Sequence, residues 1–134
     1  RAGRQRAMAD GLDALSFVER IADAPAPSVF LASGLLQYLD RPLPALLGEL
    51  DSLPQWLLLN KVAFHRRGPV VTLEHIGAAF VPYQMRERES FVDGIERLGY
   101  RLADEWRIAE LSHTISTHPE IGPSESRGFL FRKI

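Results

Sequence analysis

Residues 28–39, SVFLASGLLQYL, constrain the fold more than any other part of this chain. Val29, Phe30, Leu31 and Ala32 follow one another with no polar residue between them. Such a run predicts a strand buried on both faces, as in the middle of a parallel sheet. Ser33 and Gly34 end it with residues that let backbone come close to a ligand. In open α/β sheets ligands bind just past the carboxyl ends of the strands, so function is expected at this turn.

The 134 residues fit one domain, and 46% hydrophobic content is enough for a buried core. A net charge of −1 gives no field to recruit nucleic acid or an anionic membrane, so neither is expected as a partner. The absence of cysteine fits a reducing, cytoplasmic compartment and leaves no thiolate metal site. No apolar run approaches the ~20 residues that cross a bilayer. The chain opens on Arg1 rather than Met, as a fragment or processed chain would.

Along the chain, residues 14–18 (ALSFV) read as a short strand and 24–28 (APAPS) as a rigid turn. Asp40 as N-cap and Pro42 in the first turn open a helix. Its apolar face is Leu43, Leu46, Leu47 and Leu50, and Leu53-Pro54 stops it. Residues 56–60 (WLLLN) form a second doubly buried strand, completing a βαβ unit. Residues 61–85 read as an insertion with a polar turn at 66–69, a weak strand at 70–76 and an apolar loop at 78–83. An amphipathic helix is expected over 87–98, with Gly99 just past its end. A strand over 100–108 should point Tyr100, Leu102, Trp106 and Ile108 inward. After a polar connection, residues 128–134 (GFLFRKI) form the last strand, antiparallel to the one before it. Trp56, Phe91 and Trp106 are expected in the core.

From residue 15 to the end, this order resembles the C-terminal half of a class I S-adenosylmethionine-dependent methyltransferase. It is most similar to a bacterial group linked to surface-polysaccharide gene clusters. FLASGLLQYL at 30–39, Pro42 with the leucine helix, WLLLN, TLEHI at 72–76, Tyr83 and RGFLFR at 127–132 carry the likeness. The resemblance implies an α/β domain that holds a partial Rossmann-like methyltransferase sheet, with its last two strands antiparallel and helices flanking it. Residues 1–134 are then the C-terminal part of a larger domain, since the family's glycine-rich loop and ribose-binding acidic residue do not occur here. It implies S-adenosylmethionine as cofactor and a small-molecule or glycan acceptor. Ala32, Ser33, Gly34 and Leu35 would lie beside the methionine part, Phe17 beside the adenine, and Gln37 and Tyr38 at the acceptor. His75 or Tyr83, on the insertion over the substrate, would take up the proton.

Each candidate also has a plainer reading. The 33–34 turn is either a ligand site or an ordinary strand exit, and Tyr38 either lines an acceptor site or packs on the leucine helix. His75 is either a general base or a histidine with no chemical role. Neighbouring strand residues point to opposite faces, which sets Glu74 away from its ring. His113 and His118 do not have a zinc-like spacing, so no metal is expected. Arg1, Arg4, Arg6, Arg66 and Arg67 read as a solvated surface. A different α/β enzyme with its site at Ser33, or a non-catalytic interaction module using the 78–83 loop, fits the same sequence. Without a neighbour on its outer side, the strand at 29–32 would leave an apolar edge, which predicts either that the chain belongs to a longer polypeptide or that it forms a homo-oligomer through this strand.

Overall fold

The computed structural model describes residues 2–134. Its main sheet has four strands, β1 (Val29–Ser33), β2 (Trp56–Phe64), β5 (Tyr100–Arg107) and β6 (Glu125–Lys133), in the order β1-β2-β6-β5. β1 and β2 are parallel, joined through a 3-10 turn at Leu36–Tyr38 and a short helix α2 (Leu43–Leu47). β6 runs antiparallel between β2 and β5. A hairpin of β3 (Val70–Ile76) and β4 (Ala79–Met85) forms a second, two-stranded sheet. Helix α3 (Arg88–Glu96) precedes β5, and helix α1 (Ala2–Ala9) opens the described chain. No helix among the described residues is long and apolar enough to cross a membrane.

One face of the main sheet is the core. Register places Ala32 beside Leu59, Leu59 beside Phe129, and Leu57 beside Phe131. Leu43 and Leu47 of α2 and Phe91 and Ile95 of α3 pack on these side chains. Glu87 caps α3, its carboxylate accepting from the Glu89 and Ser90 amides at 2.9 and 2.7 Å. Gly99, at φ +86, ends the helix turn in a conformation that costs other residues more.

The sequence reading needs correction at five points. First, β1 is not buried on both faces. Ala32 is 2% exposed, but Val29 and Leu31 are 51% and 65% exposed, because both α2 and α3 lie on the opposite side. Second, Trp106 does not point inward. A bulge between Leu102 and Asp104 adds one residue to β5 and reverses which side chains face the core. Glu105 thus joins the inner face. Trp106 lies on the outer one beside Gly128, and Trp56, also half-buried, lies under the Arg132 guanidinium. Third, residues 14–18 form no strand; this segment has no strand partner and lies against α1, with the Arg4 guanidinium donating to the Phe17 carbonyl at 3.0 Å. Fourth, residues 79–83 belong to β4 rather than a loop. Pro82 is tolerated there because the hairpin's strands each have a free edge. Fifth, α2 begins after Pro42 with no side-chain cap, so Asp40 is not its N-cap, and it covers only five residues.

Placing Glu105 on the inner face builds an ion network. Glu105 accepts from Arg88 and Arg127, and Glu125 accepts from Arg127 and Arg66. The Arg88 bond, chiefly, holds the Glu105 carboxyl below its ordinary range, and Arg127 followed by Arg66 does the same for Glu125. A carboxylate whose pKa is depressed by folding stabilises the fold above its unfolded value, about 4.3, and loses that contribution as pH falls through the folded value. Thermal melts should therefore show Tm falling as pH is lowered below about 4.3, and Glu105→Gln should flatten that fall.

Candidate functional site

The carboxyl ends of β1 and β2 are tied together by polar side chains. The Gly34 amide donates to the Asn60 carbonyl at 2.9 Å. Asn60 Nδ2 donates to Ser33 Oγ at 3.3 Å, and Asn60 Oδ1 accepts from Trp106 Nε1 at 3.3 Å. Gly34 sits at φ +63, which turns the chain sharply out of β1. Beside it, Lys61 has φ +56, a left-handed backbone that non-glycine residues seldom adopt. Lys61 lies in the β2 bulge between Leu59 and Val62, and that extra residue is what returns Val62 and Phe64 to the core face.

The 3-10 turn that follows carries Gln37 and Tyr38. Gln37 is 5% exposed, and its Oε1 has no hydrogen-bond partner among the described residues. A buried amide oxygen left unpaired costs about 1–3 kcal/mol, so this atom is a candidate ligand contact. Tyr38 Oη donates to Glu74 Oε2 at 2.6 Å, and its ring meets Tyr83 edge-on at 5.6 Å. Burial pushes the Tyr38 phenol up to about 12, aided by the bond to Glu74 and its charge. Burial and the Glu74 charge raise Tyr83 too. Two backbone anchors clamp the hairpin onto this turn: Gln84 Nε2 donates to the Leu39 carbonyl at 2.8 Å, and Arg86 Nη2 to the Leu36 carbonyl at 2.6 Å.

Beyond the Tyr38–Glu74 bond lies a cavity of about 350 Å³ between the hairpin and the connection before β6. Glu74, His75, Tyr83 and His113 line it, with Thr72 and residues 114–117. Ser124 fixes that connection, since its Oγ accepts from the His113 amide at 3.0 Å and its carbonyl from Ser112 Oγ at 2.7 Å. The His75 ring lies against Phe80, tilted by 36° with ring centres 4.8 Å apart.

The structure thus brings together most of the residues singled out in the sequence, in two neighbouring groups. Ala32, Ser33, Gly34 and Gln37 gather where β1 ends, and His75 and Tyr83 share the cavity, with Tyr38 bridging the two through Glu74 and Tyr83. The cavity itself is not lined by Ser33 or Gly34, although the sequence places the ligand site at that turn. Leu35 is 43% exposed. Phe17 stands apart, lining two clefts with residues of α1 and the segment that follows it. His118 bonds to Thr117 Oγ1 at 3.0 Å, and no three His, Cys, Asp or Glu side chains among the described residues converge as metal ligands would. Sequence reasoning weighed His113 only as a metal ligand and missed the Ser/Thr wall at 114–117. Its one signal was the SHTIST composition, which carries no periodicity to tie it to the hairpin.

No protein-family model matches this chain. No curated protein matches it either.

Proposed function

We propose that the chain is the C-terminal part of a class I S-adenosylmethionine-dependent methyltransferase domain, acting on an oxygen or nitrogen of a small or glycan-linked acceptor. The observation that carries this reading is the sheet order. Parallel β1 and β2 are followed by a helix, a strand and a final antiparallel strand inserted beside β2, as such a C-terminal half requires. Polar groups gather just past the end of β1, where an α/β sheet places its ligand.

The residues fit one end of the cofactor. Ser33 Oγ and the unpaired Gln37 Oε1 offer hydrogen bonds to its methionine part. Phe17 packs with α1 and has no part in this set. The cofactor would supply an electrophilic methyl group, and the chain's own work is to position the acceptor. Tyr83, with its phenol pushed up, stays protonated and donates a hydrogen bond rather than accepting the proton. That leaves His75, an exposed residue at the cavity's border, as the proton acceptor.

Calorimetric titration of S-adenosylhomocysteine into the full product of the gene should give saturable heat. Gln37→Leu should weaken binding roughly tenfold, the loss of one hydrogen bond to a charged group. No saturable heat with the unaltered protein would remove the methyltransferase reading.

The same reading accounts for the open side of β1. Among the described residues β1 pairs only with β2, and Val29 and Leu31 stand exposed beside the free backbone edge. Such an edge recruits another strand. Sedimentation velocity on this chain should show self-association with rising concentration, and Leu31→Lys should return it to monomer. A monomer at every concentration would refute the edge pairing.

A further inference from the structure

The cavity behind Tyr38 has a chemistry of its own. No lysine or arginine lines it. Its one carboxylate is Glu74, which accepts from Tyr38 through Oε2 and forms no ion pair among the described residues. A carboxylate can accept up to about four hydrogen bonds, so Glu74 keeps capacity for a ligand. Around it, the hydroxyls of Thr72, Thr114 and Ser116 have no side-chain partner among the described residues. Leu73, Met85 and Ile115 supply an apolar lining between these polar groups.

Each property excludes a ligand class. A phosphorylated or carboxylated ligand would bring a second negative charge beside Glu74 with no lysine or arginine to neutralise it, and such juxtaposition is costly. A purely apolar ligand would strip water from the carboxylate and the hydroxyls without replacing their hydrogen bonds. A volume of about 350 Å³ is at the small end of ligand sites and excludes a long polymer from full burial. What remains is a compact ligand with hydroxyl groups, C–H faces and one positive charge.

We infer that this cavity binds an amine-bearing, polyhydroxylated ligand of about monosaccharide size, its ammonium group on Glu74 and its hydroxyls on the Ser/Thr wall. The ammonium takes the free carboxylate oxygen, while Tyr38 holds the other and fixes the carboxylate plane. The inference rests on the methyltransferase reading only for calling this ligand the acceptor; the binding itself depends on the cavity.

The test is a titration of the isotope-labelled chain with glucosamine, glucose and glucosamine 6-phosphate, followed by amide NMR without any methyl donor. Glucosamine should shift the amides of residues 72–75, 83 and 113–117 saturably. Glucose and glucosamine 6-phosphate should each bind about tenfold more weakly or worse, the first for lack of the ammonium and the second for its phosphate. Glu74→Gln should reduce glucosamine binding to the level of glucose, and Glu74→Asp should retain part of the preference. Dispersed spectra of both variants would establish that they fold; if Glu74→Gln does not fold, Thr114→Val, which leaves the charge in place, should weaken all three sugars alike. Equal or tighter binding of the phosphate, indifference to Glu74→Gln in a folded variant, or no saturable shift at these residues would overturn the inference. Failure of S-adenosylhomocysteine to bind, with glucosamine still binding here, would remove the methyltransferase reading and leave the cavity's specificity standing.

Discussion

Phe129→Ala is expected to destabilise the protein by about 3–5 kcal/mol, measured as a fall in the midpoint of denaturant unfolding. Phe129 is fully buried at the centre of an aromatic cluster. Its ring lies 5.5 Å from Phe64, 5.6 Å from Phe91 and 5.9 Å from Phe131, so it touches β2, α3 and its own strand at once. Removing it takes away buried apolar surface and leaves a cavity whose walls belong to three different elements. Such walls cannot collapse together without moving the sheet, which puts the cost at the upper part of the range. Phe129→Leu keeps most of the volume and should cost far less, under about 2 kcal/mol. Equal losses for the two substitutions would mean that the cluster acts through ring geometry rather than through filled volume.

Phe129 also shows what the sequence could reveal. GFLFRKI is an apolar run that reads as a strand, and once it is one, Phe129 and Phe131, two residues apart, share a face. Helix α3 was legible for a similar reason: Phe91, Val92 and Ile95 recur at helical spacing before Gly99. The parallel pairing of β1 with β2 followed from two apolar runs joined by a helical stretch. Burial on both faces did not follow, because an apolar run tells what a strand could bury and not what packs against it. Leu31 is as apolar as Leu59, yet one is 65% exposed and the other fully buried. The bulges were illegible. Lys61 and Ala103 are ordinary residue types, and nothing in their neighbours announces the extra residue that changes the register. One such residue moved Trp106 out and Glu105 in, and so made the ion network that no charge count could reveal.

The candidate site was partly legible for the same physical reasons. A strand exit made of Ser33 and Gly34 is a local feature, and it was found locally. The Tyr38–Glu74 bond joins residues 36 positions apart, on a turn and a hairpin whose packing only the tertiary fold fixes. The cavity beyond it needs the 113–117 segment as a third wall, and that segment has neither helical nor strand periodicity. Adjacent strand positions did predict that Glu74 would not orient His75, and Glu74 indeed bonds to Tyr38 instead.

Gly128→Ala is expected to cost about 1–3 kcal/mol or more and to reach the candidate site as well. Gly128 pairs with Trp106 across β6 and β5, and the indole lies flat over the space a side chain would fill. A Cβ on residue 128 would stand 2.0 Å from Trp106 Cε2 and 2.4 Å from its Nε1, which no packing tolerates. The indole must swing away, since all three of the nearest atoms belong to it. Swinging it breaks the bond from Nε1 to Asn60 Oδ1, and Asn60 is the residue that holds Ser33 Oγ. The substitution should therefore lower the unfolding midpoint, shift the Trp106 indole resonance and loosen the amides of Ser33 and Gly34 together. Trp106→Ala relieves the clash, so in the double substitution Gly128→Ala should cost little more than Trp106→Ala alone, a coupling readable from a double-mutant cycle. If Gly128→Ala lowers stability while the Ser33 and Gly34 resonances stay in place, the Asn60 bond does not transmit the change, and the end of β1 is held by its backbone alone.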